Sequence, residues 1–275
     1  MSDDELPDYE PMLESFHTAF ADELEAMVGT LPIREGERVL ELACGDGAYT
    51  PWLASRVGDS GSVVGLDIST DYLELAQRRT RRVATTARSR FVAASFDRLP
   101  FPDGFFDAAW SAQSLFSLPE PVDAVRRMAR TVKPGGLVAV LENDTLHQVL
   151  LPWPIELELA VRTAEWQAFR DETRHPRKFY IGRQLVGVFR EAGLVERTVR
   201  SFASSRVAPF EAPVHTFLAE YLRDLRERVE PRLDSRILPT FDRWTDPNSP
   251  ESLLERPDMA ITVIDHVVQG RVPKG

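Results

Sequence analysis

The pattern of apolar and polar positions alternates between two periods along the first half of the chain. Residues 10–29 place Met12, Phe16, Phe20, Leu24 and Met27 at helical spacing, which predicts one amphipathic helix leading into the first strand. Short, nearly continuous apolar runs at about 38–43, 62–67, 90–94, 105–110 and 137–142 then predict buried strands. Helical patterns at 48–57, 70–84 and 119–131 separate them. This β-α alternation implies a parallel sheet, right-handed crossovers and helices on both faces. Lys133-Pro134-Gly135-Gly136 predicts a helix stop and turn before the fifth strand. Beyond Asn143 the rhythm changes: helices are expected at 154–171 and 180–192, a strand at 195–207, a charged helix at 210–230, a Pro-containing stretch to 257, and a last strand from Met259 to Val268.

Composition narrows the class without naming a function. A chain of 275 residues with 43% hydrophobic and 28% charged residues can bury a sizeable core. The acidic N-terminus lacks the features of a secretory signal, and no apolar run is long enough to span a bilayer. One cysteine, Cys44, forms no internal disulfide and no cysteine-based zinc site, so a cytoplasmic location and no metal are expected. It reads as a small apolar filler rather than a nucleophile, since nothing marks a histidine and an acid as its partners. A net charge of −10 disfavours nucleic acid and anionic membrane as partners. The basic run Arg78-Arg79-Thr80-Arg81-Arg82 is expected to be a solvated helix C-terminus, because no aromatic residues interleave with it.

The chemistry concentrates where the first strand ends. Glu41 precedes a turn, Ala43-Cys44-Gly45-Asp46-Gly47, whose glycines allow a sharp bend and close approach of a ligand to the backbone. Backbone N–H groups at the following helix start can receive an anionic group. Asp67, at the tip of the second strand, is placed to accept both hydroxyls of a ribose. A Gly-x-Gly turn alone often does no more than join a strand to a helix. A dinucleotide fingerprint would need glycine at position 50, where Thr50 stands.

The ordered set resembles the class I S-adenosylmethionine-dependent methyltransferases, most of all the ubiquinone/menaquinone-biosynthesis type, which mostly act on small molecules. Glu41-x-Ala43-x-Gly45-x-Gly47 is similar to their first motif, with Ala43 in place of a glycine, and Leu66-Asp67-Ile68-Ser69 to the second. Phe91 to Phe101, Phe105-Phe106-Asp107 and Val132 to Gly136 resemble the later ones, so residues 36–142 are covered in order. The resemblance implies a doubly wound α/β, Rossmann-like seven-stranded sheet of order 3-2-1-4-5-7-6 with the last strand antiparallel and helical cap insertions. It implies S-adenosylmethionine as cofactor and S-adenosylhomocysteine as product. Glu41 would position the amino group of the methionine portion, and Ala43, Gly45, Asp46 and Gly47 would wall it. Asp67 would hold the ribose and Ile68 the adenine. Ser95, Phe96 and Asp97 would border the adenine, with Ser95 where relatives carry Asp. Ser111 and Gln113, in the segment from Trp110 to Leu115, would line the cleft beside the sulfonium.

One methyltransferase domain is expected over 1–275, with an N-terminal helical segment at 1–34 and a cofactor core at 35–143. Cap insertions would lie at 144–179 and 208–257, and 180–207 with 258–275 would complete the sheet. The acceptor is expected to be a small hydrophobic or aromatic metabolite, and the protein a monomer or homodimer. His147, just past the fifth strand, is the first candidate for a general base. His175, Tyr180 and Arg183 form a second polar cluster, and His17 could face the cleft from the N-terminal helix. Leu150 to Pro154 and Trp166 offer apolar bulk. An RNA or protein acceptor and a non-catalytic cofactor-binding subunit are the competing readings. Against amide and adenine methylases, no Asn/Asp-Pro-Pro-aromatic motif follows the fourth strand, where Trp110-Ser111-Ala112-Gln113 stands.

Overall fold

The structure, a computed structural model, describes residues 10–82, 88–118, 120–144, 149–172 and 176–274. Five strands run parallel: β1 (Arg38–Leu42), β2 (Ser62–Asp67), β3 (Arg88–Ala93), β4 (Phe106–Ala112) and β5 (Val132–Glu142). Their order is β3-β2-β1-β4-β5. β8 (Ala260–Arg271) lies antiparallel to β5, and β7 (Val195–Val207) pairs antiparallel with the other edge of β8. A two-residue strand, β6 (Val149–Leu150), pairs with Thr262 and Val263 of β8. Those residues also pair with β7, so β6 resumes the edge that β5 leaves at Glu142. The seven long strands thus take the expected order 3-2-1-4-5-7-6, and the short eighth strand is an addition that no run of alternating residues announced.

Both faces of the central strands are covered, which is why they read as continuous apolar runs. Val39, Ala108, Trp110, Leu137, Ala139 and Leu141 face one core, built with α1 (Glu10–Ala19), α2 (Ala21–Gly29), α3 (Thr50–Val57), α6 (Ile155–Glu172), α8 (Ala212–Val229) and α9 (Leu238–Thr245). Leu40, Leu42, Ala109, Val138 and Val140 face the other, with α5 (Pro121–Thr131) and α7 (Ile181–Glu191). α4 (Thr70–Arg82) packs beside α3 against β2 and β3.

Two expectations need correction. The stretch 10–29 is two helices, because the chain breaks at Phe20 (φ −121°, ψ 23°). That break lets α1 turn onto α8, where Phe16 and Phe20 meet the Phe217 ring at 5.4 and 5.6 Å. Lys133 to Gly136 lies inside β5 rather than before it: Val132 already pairs with Phe106, and the register shifts before Ala108 meets Leu137. The glycine turn, with Gly135 at φ 78°, therefore acts as a bulge. Among the described residues no helix is long and apolar enough to cross a membrane.

Candidate functional site

The turn after β1 holds three left-handed residues within five: Ala43 (φ 50°), Gly45 (φ 51°) and Gly47 (φ 73°). Each glycine is required for its own reason. A Cβ on Gly47 would lie 2.8 Å from the Ala76 Cβ, so the turn passes under α4 only without a side chain. A Cβ on Gly45 would meet nothing within 4 Å, which leaves that side of the backbone open to a ligand. The Gly45 N–H donates to Asp67 Oδ2 at 2.9 Å, and the Ser69 N–H to Asp67 Oδ1 at 3.0 Å. Asp67 is thereby fixed across the tips of β1 and β2, with a further lone pair on each oxygen. Burial raises its pKa while these backbone bonds pull it down. Ile68 beside it is 53% exposed.

Glu41 is buried at the end of β1 and accepts a 2.5 Å hydrogen bond from Thr50 Oγ1. Burial pushes its carboxyl up to about 8, Thr50 opposes the rise, and the nearby Asp46 and Asp67 add to it. Thr50, which argued against a dinucleotide site, thus has a positive role as the clamp of this carboxyl. Asp46 accepts the Ala48 N–H at 3.1 Å and pairs with Arg79 of α4. Arg79 is therefore not part of a merely solvated basic run, as the sequence suggested. It ties the turn to α4. Cys44 is buried beside Gly65, and burial pushes its thiol well above the usual range, so it behaves as filler.

On the loop after β3, Phe96 is buried in the α5-side core. Ser95 Oγ accepts the Asp97 N–H at 3.2 Å, and the exposed Asp97 carboxylate faces Arg127 of α5 at 3.2 Å. Both polar side chains are thus tied locally. Ser111 Oγ donates to the Leu42 carbonyl at 3.0 Å and meets Ser114 Oγ at 2.5 Å, stitching β4 to β1. The Glu142 carboxyl accepts the N–H groups of Ser114 and Leu115 at 2.8 and 2.6 Å, which shapes the loop after β4. Burial raises it to about 8. Gln113, at φ 50°, donates its N–H to the Leu141 carbonyl and meets His17 Nε2 through Oε1 at 3.2 Å.

A different kind of wall faces this one. His17 on α1, Tyr49 next to the glycine turn and Trp110 on β4 stand in a row, with ring centroids 5.4 Å apart for the first pair and 5.7 Å for the second. The Asp265 carboxyl on β8 is buried, meets Asn143 Nδ2 at 3.5 Å, and is raised by burial to about 7. Arg183 pairs with the buried Asp144 and lies 4.0 Å over the Tyr180 ring, so these two residues brace the end of β5. His147 and His175 lie outside the described residues. Tyr49 and Asp265 were missed by sequence reasoning. Asp265 carried a signal, an acid in phase with the inward Val263 and Val267.

A family model described as a methyltransferase domain matches residues 40–140. The 27-O-demethylrifamycin SV methyltransferase of Amycolatopsis mediterranei is 30% identical over 221 residues, 79% of this chain and 72% of that enzyme. The chain belongs to the class I S-adenosylmethionine-dependent methyltransferases. The ubiquinone/menaquinone biosynthesis C-methyltransferase UbiE of Azotobacter vinelandii is 39% identical over 119 residues, 43% of this chain and 47% of that one. This chain thus spans less than half the length of that relative. Among solved structures, YcgJ from Bacillus subtilis superposes with a TM-score of 0.60 at 16% identity, covering 93% of this chain and all of that one. The Haemonchus contortus phosphoethanolamine N-methyltransferase 2, solved with S-adenosyl-L-methionine, gives 0.54 at 15% identity over 95% of this chain and 56% of that one. At such identity these two speak for the fold alone.

A methyltransferase of this class uses S-adenosylmethionine and releases S-adenosylhomocysteine. The residues present fit that cofactor. Gly45 leaves an open backbone face, Asp67 keeps acceptor capacity for two hydroxyls, and Ile68 offers an exposed apolar surface. Glu41 is a buried acid that a neighbouring cation would ionise.

Proposed function

We propose that this methyltransferase transfers the methyl group to a small hydrophobic or aromatic metabolite, and that one domain spanning residues 1–275 does so in the cytoplasm, as a monomer or homodimer. The observation that carries the reading is the apolar roof over the C-terminal edge of the sheet. Phe16 of α1, Phe20 at the break after it, and Phe217 and Tyr221 of α8 are all buried in one core with Tyr49, Trp110 and Leu141. Such a roof suits a compact apolar acceptor better than an RNA or a protein surface. The name of the Amycolatopsis relative, a demethylrifamycin O-methyltransferase, points the same way.

In this reading Glu41 receives the ammonium of the methionine portion. Ala43, Gly45 and Gly47 give the backbone wall, while Asp46 acts through Arg79 to hold that wall in place. Asp67 receives the ribose hydroxyls and Ile68 packs on the adenine. Ser95 and Asp97 bound the adenine through the backbone of their loop, with Phe96 as its apolar anchor. Ser111 and Gln113 set the wall beside the sulfonium. When bound, S-adenosylmethionine supplies an electrophilic methyl group, and the protein's contribution is alignment of the acceptor and exclusion of water. His147, the candidate base read from the sequence, lies outside the described residues.

The test has two parts. Calorimetric titration with S-adenosylmethionine, S-adenosylhomocysteine and NAD should show binding of the first two only. Incubation with labelled S-adenosylmethionine and a panel of phenols, quinols and amines should then label at least one. Binding without any transfer would favour a silent cofactor-binding subunit, and labelling of bulk RNA or protein alone would overturn the small-molecule reading.

A further inference from the structure

Three polar atoms in the row beneath α1 stand out because nothing bonds them. His17 Nδ1, Tyr49 Oη and Trp110 Nε1 are each buried and have no hydrogen-bond partner. Tyr49 is 5% exposed and Trp110 1%. Buried polar groups are satisfied almost without exception, so three in one row, on three different elements, call for a missing partner. The cofactor-side groups do not explain them, since Glu41, Asp46, Asp67 and Glu142 all have partners of their own.

The chemical characters of the three are complementary. Trp110 Nε1 can only donate, and Tyr49 Oη donates or accepts. His17 Nε2 meets Gln113 Oε1 at 3.2 Å, and in the tautomer that donates its ring proton to this oxygen Nδ1 carries the lone pair. An oxygen that receives hydrogen bonds from Trp110 and Tyr49 and gives its own proton to His17 matches the hydrogen-bonding character of all three. A carbon nucleophile satisfies none directly.

We propose that His17, Tyr49 and Trp110 form the seat of a hydroxyl acceptor, most simply a phenol, with His17 as the general base, Gln113 as its positioning residue, and Tyr49 and Trp110 as donors to the acceptor oxygen. The proposal rests on the small-molecule reading above and deepens it. The acceptor O–H proton passes to His17 Nδ1 and later to solvent. The oxygen's electron pair forms the new bond to the methyl carbon, and the carbon–sulfur pair stays on sulfur. Burial lowers the His17 pKa, so the base is neutral and ready near pH 7; Asp46 opposes that shift and Arg79 adds to it. Tyr49 is held protonated by burial and by the surrounding Asp265, Glu41, Asp46 and Glu142, which keeps it a donor.

Arg206 of β7 donates to the Ala19 carbonyl at the end of α1 and pairs with Glu23 of α2, which fixes where α1 sits over the row.

The test uses the full chain loaded with S-adenosylhomocysteine and 4-nitrophenol as probe, whose ionised form absorbs visible light. Wild type should bind the probe and raise its phenolate fraction. His17→Gln should abolish that rise, and Tyr49→Phe should weaken probe binding at least fivefold. Nitrogen-detected imidazole spectra should show His17 protonated at Nε2 and changing when the probe is added. Transfer from S-adenosylmethionine to the probe should fall at least a hundredfold in His17→Gln, with loss of the acidic limb of the pH profile. Absence of probe binding, or binding and transfer unaffected by both substitutions, would overturn the proposal. Retained S-adenosylhomocysteine binding in every variant separates that outcome from failure of the methyltransferase reading itself.

Discussion

The turns at the tips of β1 and β2 and the row beneath α1 are neighbours, joined through Tyr49 and Thr50, yet they treat their polar groups in opposite ways. On the cofactor side Asp67, Glu41 and Asp46 each hold a bond to backbone or side chain before any ligand arrives. On the roof side His17 Nδ1, Tyr49 Oη and Trp110 Nε1 hold none. An unmet buried group costs about 1–3 kcal/mol. The wall proposed for the cofactor is therefore preorganised, whereas the row beneath α1 carries a cost that the proposed acceptor would relieve. Affinity for the cofactor should follow from the turns after β1 and β2, and acceptor binding from the groups beneath α1.

The largest expected effect comes from pH. Glu41 and Glu142 sit at about 8 and Asp265 at about 7, all raised by burial from 4.5, 4.5 and 3.8. The folded state then keeps protons that the unfolded chain releases. Its extra stability is present below the unfolded values and is lost as pH rises towards 7–8. Each retained proton contributes a slope of about 1.4 kcal/mol per pH unit. Urea unfolding of the ligand-free protein should therefore show lower stability at pH 8 than at pH 5.5. S-adenosylhomocysteine, bringing an ammonium to Glu41, should bind more tightly as pH rises through 8. Stability that rises over that interval would contradict the buried environment assigned to these acids.

Gly47→Ala comes next. The added Cβ collides with Ala76 at a positive φ, so a loss of about 3 kcal/mol is expected in denaturant unfolding, with cofactor binding lost alongside. A neutral result would mean that the turn is less tightly packed than the contrast requires. Ala43→Gly should act the other way, adding about 1 kcal/mol by relieving a left-handed alanine. Asp97→Asn should change stability by no more than about 0.5 kcal/mol, because its Arg127 pair is exposed. A large effect there would make that loop part of the preorganised wall.

The same contrast explains what could be read from the sequence. The parallel strands, the glycine turn and Asp67 are written in consecutive residues, because each depends on local backbone geometry and short apolar runs, whereas the strand order came from the family resemblance. The long last strand was foreseen, but β6 was not, since two residues pair only because β8 overruns the end of β5. Arg79 looked like one of several solvated arginines; only the packing of α4 on the turn brings it to Asp46. Tyr49 and Asp265 went unread for a related reason. They are separated by over two hundred residues and gain meaning only when β8 and α1 close over the turn. Trp110 and His17 were visible as cleft residues, but their missing partners were not.

The central claim is that cofactor and acceptor are held by different, separable sets of groups. Calorimetric titration of S-adenosylhomocysteine into wild type, Asp67→Ala and Tyr49→Phe tests it most directly. The account predicts that Asp67→Ala weakens binding by about 1–3 kcal/mol while Tyr49→Phe stays within about twofold of wild type. Unchanged binding in Asp67→Ala, or an equal loss in both variants, would contradict it.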